Sequence, residues 1–199
     1  MKEFFAAMLQ DSAVGKIGRC FGKEKSQSLV YGLAGSQKHA VFAACYSKNR
    51  RTMVIVTNNQ EILENWRADL TALLPETAIV ELPQLDVVNF SAAAKSRTQA
   101  ARRLDVLGRL MRQEKVIVLA TAAAAVQKGL SRQEFERSSL HLKLGEVMQR
   151  EQLLTRLVQL GYEHADEVER VGQFSSRGGI VDIYAINAQS PVRIEFFDD

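Results

Sequence analysis

The strongest constraint on the fold is an alternation of side chains near the carboxyl end of the chain. Two segments, Ile180–Ile186 and Pro191–Phe197, alternate with a period of two, and the polar segment Asn187–Ser190 separates them. This pattern predicts a β-hairpin. If the hairpin closes on that segment, one of its faces is wholly apolar and must meet a core; its members are Val181, Ile183, Ala185, Val192, Ile194 and Phe196.

The opposite face of the predicted hairpin mixes charged and aromatic side chains: Asp182, Tyr184, Arg193, Glu195 and Phe197. An exposed aromatic beside an arginine and a carboxylate is typical of a protein-binding surface. Upstream, the pair Gly178–Gly179 is expected to mark either a bulge or a close backbone approach, and a bulge would turn Arg177 toward the same face. The alternative interpretation is an ordinary half-buried sheet whose outward side chains are solvated.

Composition and charge exclude several functional classes. The chain has 199 residues, enough for one large or two small domains, and its net charge of +3 is well below that of a dedicated nucleic-acid binder. Cys20 and Cys45 have no CxxC spacing and are expected to be free thiols in a reducing cytoplasm. The histidines lack the spacing of metal ligands, so we predict no metal and no other cofactor; they are His39, His141 and His164.

The apolar segments are too short or too polar to enter a membrane. The first sixteen residues contain a six-residue apolar run that ends at a glutamine and an aspartate, which does not fit a secretory signal. The longest apolar run, Val116–Val126, is rich in alanine and interrupted by threonine, so no transmembrane helix is predicted. We therefore expect a cytoplasmic protein that does not bind a membrane.

Strand and helix signals alternate over the first 127 residues, which predicts an α/β domain with a parallel sheet. Strands are expected at Ser28–Tyr31, Thr52–Thr57, Ala78–Leu82 and Val116–Thr121. The runs at Thr52–Thr57 and Val116–Thr121 are apolar apart from their terminal threonines, as in a sheet that is covered on both faces. The least regular segment, Gln84–Ser96, is expected to be a long surface loop.

The pattern changes near Gln127–Gly129, so we predict two domains, 1–127 and 128–199. In the second domain Ser131 and Glu134 have the spacing of a helix capping box. Leu140–Leu144 has the alternation of a strand. Gln149–Leu160 is predicted to be a helix that ends at Gly161, and the hairpin follows it. The second domain is thus expected to be a small α/β domain with an antiparallel hairpin.

A glycine-containing turn lies where the first predicted strand meets a helix, the position of a phosphate-binding loop. Its candidate residues are Gly32, Gly35, Gln37, Lys38 and His39. The loop pattern requires a glycine where Gln37 stands and a serine or threonine where His39 stands. Because those residues supply the close backbone approach and the Mg²⁺ ligand, ATP hydrolysis is not expected, and no catalytic residue is assigned.

A helix predicted over Arg97–Arg112 carries many arginines, with Lys95 just before it. Arginines can neutralise DNA phosphates, but this helix also needs a polar face opposite its leucines. The solvated face is the interpretation we prefer; the basic residues are Lys95, Arg97, Arg102, Arg103, Arg109 and Arg112.

The C-terminal pattern, GY followed by V, GxF, RGGIVDI and PVRIEFFDD, resembles the small domain near the N-terminus of bacterial transcription-repair coupling factors (Mfd). A related domain occurs in UvrB, the helicase subunit of nucleotide excision repair. The resemblance extends more weakly through most of the chain. It implies a degenerate, helicase-like parallel-sheet domain of the P-loop type over 1–127 and a UvrA-docking domain over 128–199. It assigns contacts with UvrA to Arg177, Arg193 and Phe197.

The same resemblance implies a fragment that is not an enzyme, cut from an ATP-dependent DNA translocase whose other partners are RNA polymerase and double-stranded DNA. The alternative of another class is a UvrB-type helicase subunit, which needs an intact phosphate loop and a long aromatic hairpin. The segment Gln84–Ser96 has only Phe90 as an aromatic and is shorter than such a hairpin. A third possibility is an unrelated α/β binding module.

Overall fold

A computed structural model describes residues 1–23, 25, 27–85, 93–186 and 188–197; at residues 93–97 it describes the backbone only. The chain divides into two compact units, Met1–Gln127 and Lys128–Asp199. The first unit contains α1 (Lys2–Gln10), α2 (Ser12–Phe21), α3 (Gln37–Lys48), β1 (Met53–Thr57), α4 (Gln60–Leu73), β2 (Ala78–Leu82), α5 (Ala93–Met111), β3 (Val116–Thr121) and α6 (Ala122–Val126).

The sheet of the first unit is parallel, in the order β1-β3-β2, as the alternation of strands and helices predicts. β3 is central and buried along nearly its whole length, because α3 and α4 pack against one face and α5 against the other. β1 is an edge strand, and Val54 and Val56 are more than half exposed. The expectation that β1 is covered on both faces is therefore wrong: on the face of the sheet where α5 packs against β3, the side chains of β1 are exposed.

Two sequence expectations for the first unit need correction. Ser28–Tyr31 does not form a strand, and Leu29 and Tyr31 are exposed. This segment has no neighbouring strand to pair with, and its β-propensity alone does not stabilise a strand. The irregular segment Gln84–Ser96 lies partly outside the described residues, Phe90 included, and its last four positions already belong to α5.

Arg103 of α5 is less solvated than the sequence suggested, whereas Arg102 is exposed as expected. Arg103 is buried, and its guanidinium donates hydrogen bonds to the carbonyl oxygens of Pro83, Ala124 and Gln127 at 2.9–3.1 Å. Arg103 thus connects the segment after β2 to the end of α6. Arg109 pairs with Asp105 at 2.9 Å, within the helix. The side chains of Lys95 and Arg97 are outside the described part of the chain.

A histidine–aspartate pair joins α3 to α4. His39 is buried, its Nδ1 lies 2.5 Å from Oδ2 of Asp69, and its ring centroid lies 4.1 Å from that of Trp66. The hydrogen bond with His39, followed by one with Ser36, holds the pKa of the Asp69 carboxyl below its usual value. The Nδ1 atom of the buried ring thereby has a hydrogen-bond partner, and the ring packs against Trp66.

The second unit contains α7 (Arg132–Arg137), α8 (Arg150–Gln159), β4 (Glu163–His164), β5 (Gln173–Arg177), β6 (Ile180–Ile183) and β7 (Val192–Glu195). Ser131 and Glu134 form the predicted capping box. The four strands make one mixed sheet in the order β4-β5-β6-β7, with β4 parallel to β5 and the other pairs antiparallel. Leu140–Leu144 is not a strand, although Leu140 packs against the core.

The core of the second unit lies between α8 and the sheet. Its buried members are Leu153 and Leu157 from α8 and Phe174, Val181 and Ile183 from the strands. The helix supplies residues four apart and the strands supply residues on a single face, so two flat apolar surfaces meet. The predicted assignment of Val181, Ile183 and Ile194 to the core face is confirmed.

The hairpin departs from its predicted form at two points. The strands are shorter, and eight residues, 184–191, connect them. The Gly178–Gly179 pair is a two-residue turn between β5 and β6, with φ of +57° at Gly178, and is not a bulge. The bulge lies at Gly172, whose N–H donates to the Tyr184 carbonyl at 2.8 Å while the Tyr184 N–H donates to the Gln173 carbonyl at 2.9 Å.

The His39–Asp69 pair predicts an acid-dependent change in stability. A carboxyl group with a lowered pKa in the folded state contributes stability above the unfolded pKa of about 3.9 and loses that contribution as the pH falls. Asp69→Asn should therefore lower the free energy of unfolding near neutral pH, and the difference from the parent chain should shrink in acid. Urea unfolding at a series of pH values measures it, with Glu76→Gln as the exposed control. A difference that does not change with pH would contradict the electrostatic origin.

We also predict that residues 128–199 fold without residues 1–127, because α8 and the sheet close a core of their own. The isolated segment should unfold in one cooperative transition monitored by circular dichroism. Leu157→Ala in that segment should cost about 2–5 kcal/mol, as for other buried leucines. A broad transition that Leu157→Ala leaves unchanged would show that the second unit depends on the first.

Candidate partner-binding surface

The register of the sheet in the second unit places a set of polar and apolar side chains on the face away from α8. Arg177 on β5 lies opposite Ile180 on β6, which lies opposite Glu195 on β7. Two residues further along, Asp182 lies opposite Arg193. Residues directly opposite in an antiparallel pair share a face. We call this set the outer face; its members are Arg177, Ile180, Asp182, Arg193, Glu195 and Phe197.

Arg193 is the most firmly held of the charged residues on the outer face. Its Nε lies 2.8 Å from Oδ1 of Asp182 and its Nη2 lies 2.9 Å from Oδ2, so the two groups make a bidentate pair. The Arg193 side chain is nevertheless 61% exposed. These hydrogen bonds lower the pKa of the Asp182 carboxyl, and the charge of Arg177 adds to the effect.

Arg177 lies at the end of β5, next to the turn, and its guanidinium donates from Nη2 to the carbonyl oxygen of Asp166 at 2.5 Å. This contact fastens the loop before β5 to the edge of the outer face. Because Arg177 bonds a carbonyl and not a carboxylate, its charge is not paired at hydrogen-bond distance by that contact. The sequence expectation that Arg177 is turned toward the mixed face agrees with its pairing opposite Ile180.

Phe197 follows β7 and is 82% exposed, whereas Phe196 packs partly against the core. The Phe196 N–H donates to the carbonyl oxygen of Gly179 at 2.8 Å, so the pairing with β6 continues past the end of the strand. This contact holds the chain just before Phe197 against the turn that follows Arg177. The turn and the end of β7 thus bring Arg177 and Phe197 to the same end of the outer face.

Sequence reasoning missed the partner of Arg193. The sequence placed Asp182 and Arg193 on the same outward face but did not predict the ion pair between them. The signal was available, because Asp182 and Arg193 become direct neighbours once the register of β6 and β7 is fixed by their apolar residues.

The glycine-containing turn before α3 is closed by its own side chains. The N–H of Ala34 donates to Oε1 of Gln37 at 3.1 Å, and the N–H of Gln37 donates to the Ala34 carbonyl at 3.0 Å. Gly32 and Gly35 both have positive φ angles. His39 faces Asp69 and Trp66 inside the unit, and Lys38 is half-buried at the start of α3. The turn also lacks the preceding strand that a phosphate-binding loop follows.

Within the ranges that the structure describes, His, Cys, Asp and Glu nowhere gather in threes with the geometry of a metal site. Among the same residues, every helix is too short or too polar to span a bilayer.

The second unit matches a known family model. Residues 140–199 match the UvrB interaction domain. The matched range covers α8 and the whole four-stranded sheet, and therefore includes every residue of the outer face.

Curated relatives match nearly the whole chain. The transcription-repair-coupling factor of Bacillus subtilis (strain 168) is 34% identical over 172 residues, 86% of this chain and 15% of the relative. That of Staphylococcus haemolyticus (strain JCSC1435) is 30% identical over 171 residues, 85% of this chain and 14% of the relative. That of Staphylococcus epidermidis (strain RP62A) is 29% identical over 200 residues, 100% of this chain and 17% of the relative.

The chain thus spans about one sixth of the length of the curated relatives it matches. The relatives align with both units, and the family model aligns with the second unit alone. The chain therefore belongs to the transcription-repair-coupling factors, as a segment homologous to their N-terminal, UvrB-like module.

Proposed function

We propose that this chain is a non-catalytic module that recruits UvrA during transcription-coupled nucleotide excision repair, and that the outer face is its docking surface. One observation carries the proposal: Arg177 and Arg193 lie on one face of one sheet and the exposed Phe197 follows its last strand, all within the range that matches the UvrB interaction domain. The resemblance to the coupling factors assigns UvrA contacts to the same three positions.

The outer face has the chemistry of a protein-binding surface. Its two arginines can make charge-assisted hydrogen bonds to acidic groups of a partner, and arginine and aromatic residues dominate interface hot spots. Phe197 exposes most of its ring to solvent. Because burial of an aromatic ring is favourable, a shallow apolar pocket on the partner would bind it. The rigid sheet fixes the spacing of these groups before the partner arrives, which reduces the entropy lost on binding.

The first unit is proposed to be a degenerate, helicase-like domain that has lost nucleotide binding and supports the docking unit. In the whole protein, the remaining five sixths of the length would supply the ATP-dependent translocase and the contacts with RNA polymerase and double-stranded DNA. Such a protein acts in the cytoplasm, where the bacterial chromosome is transcribed. These activities follow from the family name and lie outside this chain.

The helicase-subunit alternative receives less support. A UvrB-type subunit needs a loop that binds nucleotide, and here Gln37 and His39 are engaged in contacts within the fold. The curated relatives named above are all coupling factors. Tight, salt-resistant binding of this chain to a DNA bubble would favour the alternative.

The docking proposal predicts the effect of three substitutions. Arg177→Ala, Arg193→Ala and Phe197→Ala should each weaken binding to UvrA by roughly 1–4 kcal/mol, the range for truncation of an interface hot spot. Isothermal titration calorimetry with purified UvrA measures the affinity. The melting temperature should hardly change, because all three side chains are exposed.

Matched controls exist in the same unit. Arg132→Ala on α7 removes an exposed arginine, and Val158→Ala on α8 trims an exposed apolar side chain; neither residue belongs to the outer face. Neither should alter the affinity for UvrA. If Phe197→Ala lowers the melting temperature and leaves the affinity unchanged, Phe197 packs within its own unit and the docking proposal loses its aromatic anchor.

The closed turn before α3 predicts that the chain does not hydrolyse ATP. The Ala34 N–H, which would face a phosphate, is bonded to Gln37, and His39 stands where a magnesium-binding hydroxyl is required. A coupled ATPase assay with Mg²⁺ should give the buffer background. Turnover that Lys38→Ala abolishes and Lys48→Ala leaves intact would overturn this prediction.

A further inference from the structure

Asp182 and Arg193 occupy a special position in the ladder between β6 and β7. The Phe196 N–H donates a hydrogen bond to the Gly179 carbonyl, so Gly179 and Phe196 form a hydrogen-bonded pair of this ladder. Such pairs alternate with non-hydrogen-bonded pairs, in which opposite side chains lie closer together. Counting along the register from Phe196, the pair Asp182–Arg193 is of the second kind. The backbone therefore brings the carboxylate and the guanidinium together before any side-chain adjustment.

The pair leaves most of the arginine free. A guanidinium carries five N–H donors in a rigid, planar fork. Asp182 takes one from Nε and one from Nη2, along one edge of the fork. Three donors remain, on Nη1 and the outer side of Nη2, and the side chain is 61% exposed. A second carboxylate can bind this free end while the first stays in place.

Asp182 also lies near the second arginine of the outer face. Ser175, the residue opposite Asp182 on β5, lies two positions before Arg177, so Arg177 and Asp182 are diagonal neighbours on one face. The Arg177 charge acts on the Asp182 carboxyl. One carboxylate thus lies between two guanidinium groups that would otherwise repel each other.

We propose that Asp182 is a positioning residue for UvrA binding: it holds the Arg193 guanidinium by one edge, so that the other end of the fork faces an acidic group of UvrA. This inference rests on the docking function proposed above and adds a residue to it. Asp182 itself does not contact UvrA in this arrangement, because both of its oxygens are turned toward Arg193.

If Asp182 competed with UvrA instead of positioning Arg193, removing its charge would change the UvrA affinity in the opposite direction. If Asp182 competed with the acidic group of UvrA for Arg193, removing its charge would free the arginine and tighten binding. If Asp182 positions Arg193, removing its charge releases the long side chain into many rotamers and weakens binding. Asp182→Asn keeps the shape of the side chain, so it distinguishes the two roles without opening a cavity.

The test is a double-mutant cycle on the 199-residue chain, with UvrA affinity measured by titration calorimetry. Asp182→Asn should weaken binding about tenfold, which corresponds to about 1.4 kcal/mol. The same change in an Arg193→Ala background should have almost no further effect, because the group that Asp182 holds is gone. Glu136→Gln, which removes the carboxylate of an exposed ion pair on α7, is the control and should leave the affinity unchanged.

A second measurement needs no partner. In the ¹⁵N–¹H spectrum of the free chain, the Nε–Hε signal of Arg193 should be protected from exchange with water and should lose that protection in Asp182→Asn, whereas Glu136→Gln should leave it unchanged.

Failure of this inference and failure of the docking proposal give different results. Equal or tighter UvrA binding by Asp182→Asn, or an equal loss in both backgrounds, would overturn the positioning role while the parent chain still binds. Absence of UvrA binding by the parent chain would overturn the docking proposal and the positioning role with it. Unchanged exchange of the Arg193 signal in Asp182→Asn would also overturn the positioning role.

Discussion

The pairing of β6 with β7 is the constraint on which the second unit depends. Val181 lies opposite Ile194, and burial of Val181 and Ile183 against α8 fixes the register, because a shift by one residue would turn these apolar side chains to solvent. The same register places Asp182 opposite Arg193 on the other face. The packing of the core and the geometry of the proposed docking surface are therefore set by one interaction.

Close backbone contacts extend this arrangement to the ends of the strands. The two-residue turn after Arg177 needs a positive φ at Gly178, and the Phe196 N–H reaches the carbonyl of Gly179. A Cβ at Gly179 would lie 3.0 Å from the Phe196 oxygen, so the approach leaves little room for a side chain. Through these contacts Arg177 and Phe197, twenty positions apart in the chain, come to one end of the outer face.

Sequence periodicity predicted the elements that neighbours stabilise and failed where a neighbour was missing. The strands at Ala78–Leu82 and Val116–Thr121 have the predicted bounds, because each pairs within the sheet. Ser28–Tyr31 and Leu140–Leu144 have strand-like sequences but no pairing in the structure. The outward position of Arg193 followed from parity alone, whereas its bond to Asp182 required the register, a property of two segments together.

The central claim is that UvrA contacts the outer face, and site-specific photo-crosslinking tests it most directly. The chain would carry p-benzoylphenylalanine in place of Phe197 in one sample and in place of Val158 in another, since both positions are exposed and lie in the same unit. Irradiation with UvrA should give a crosslinked product from the first sample and none from the second. A crosslink from position 158 with none from position 197 would contradict the account, because it would place UvrA on α8 and away from the outer face.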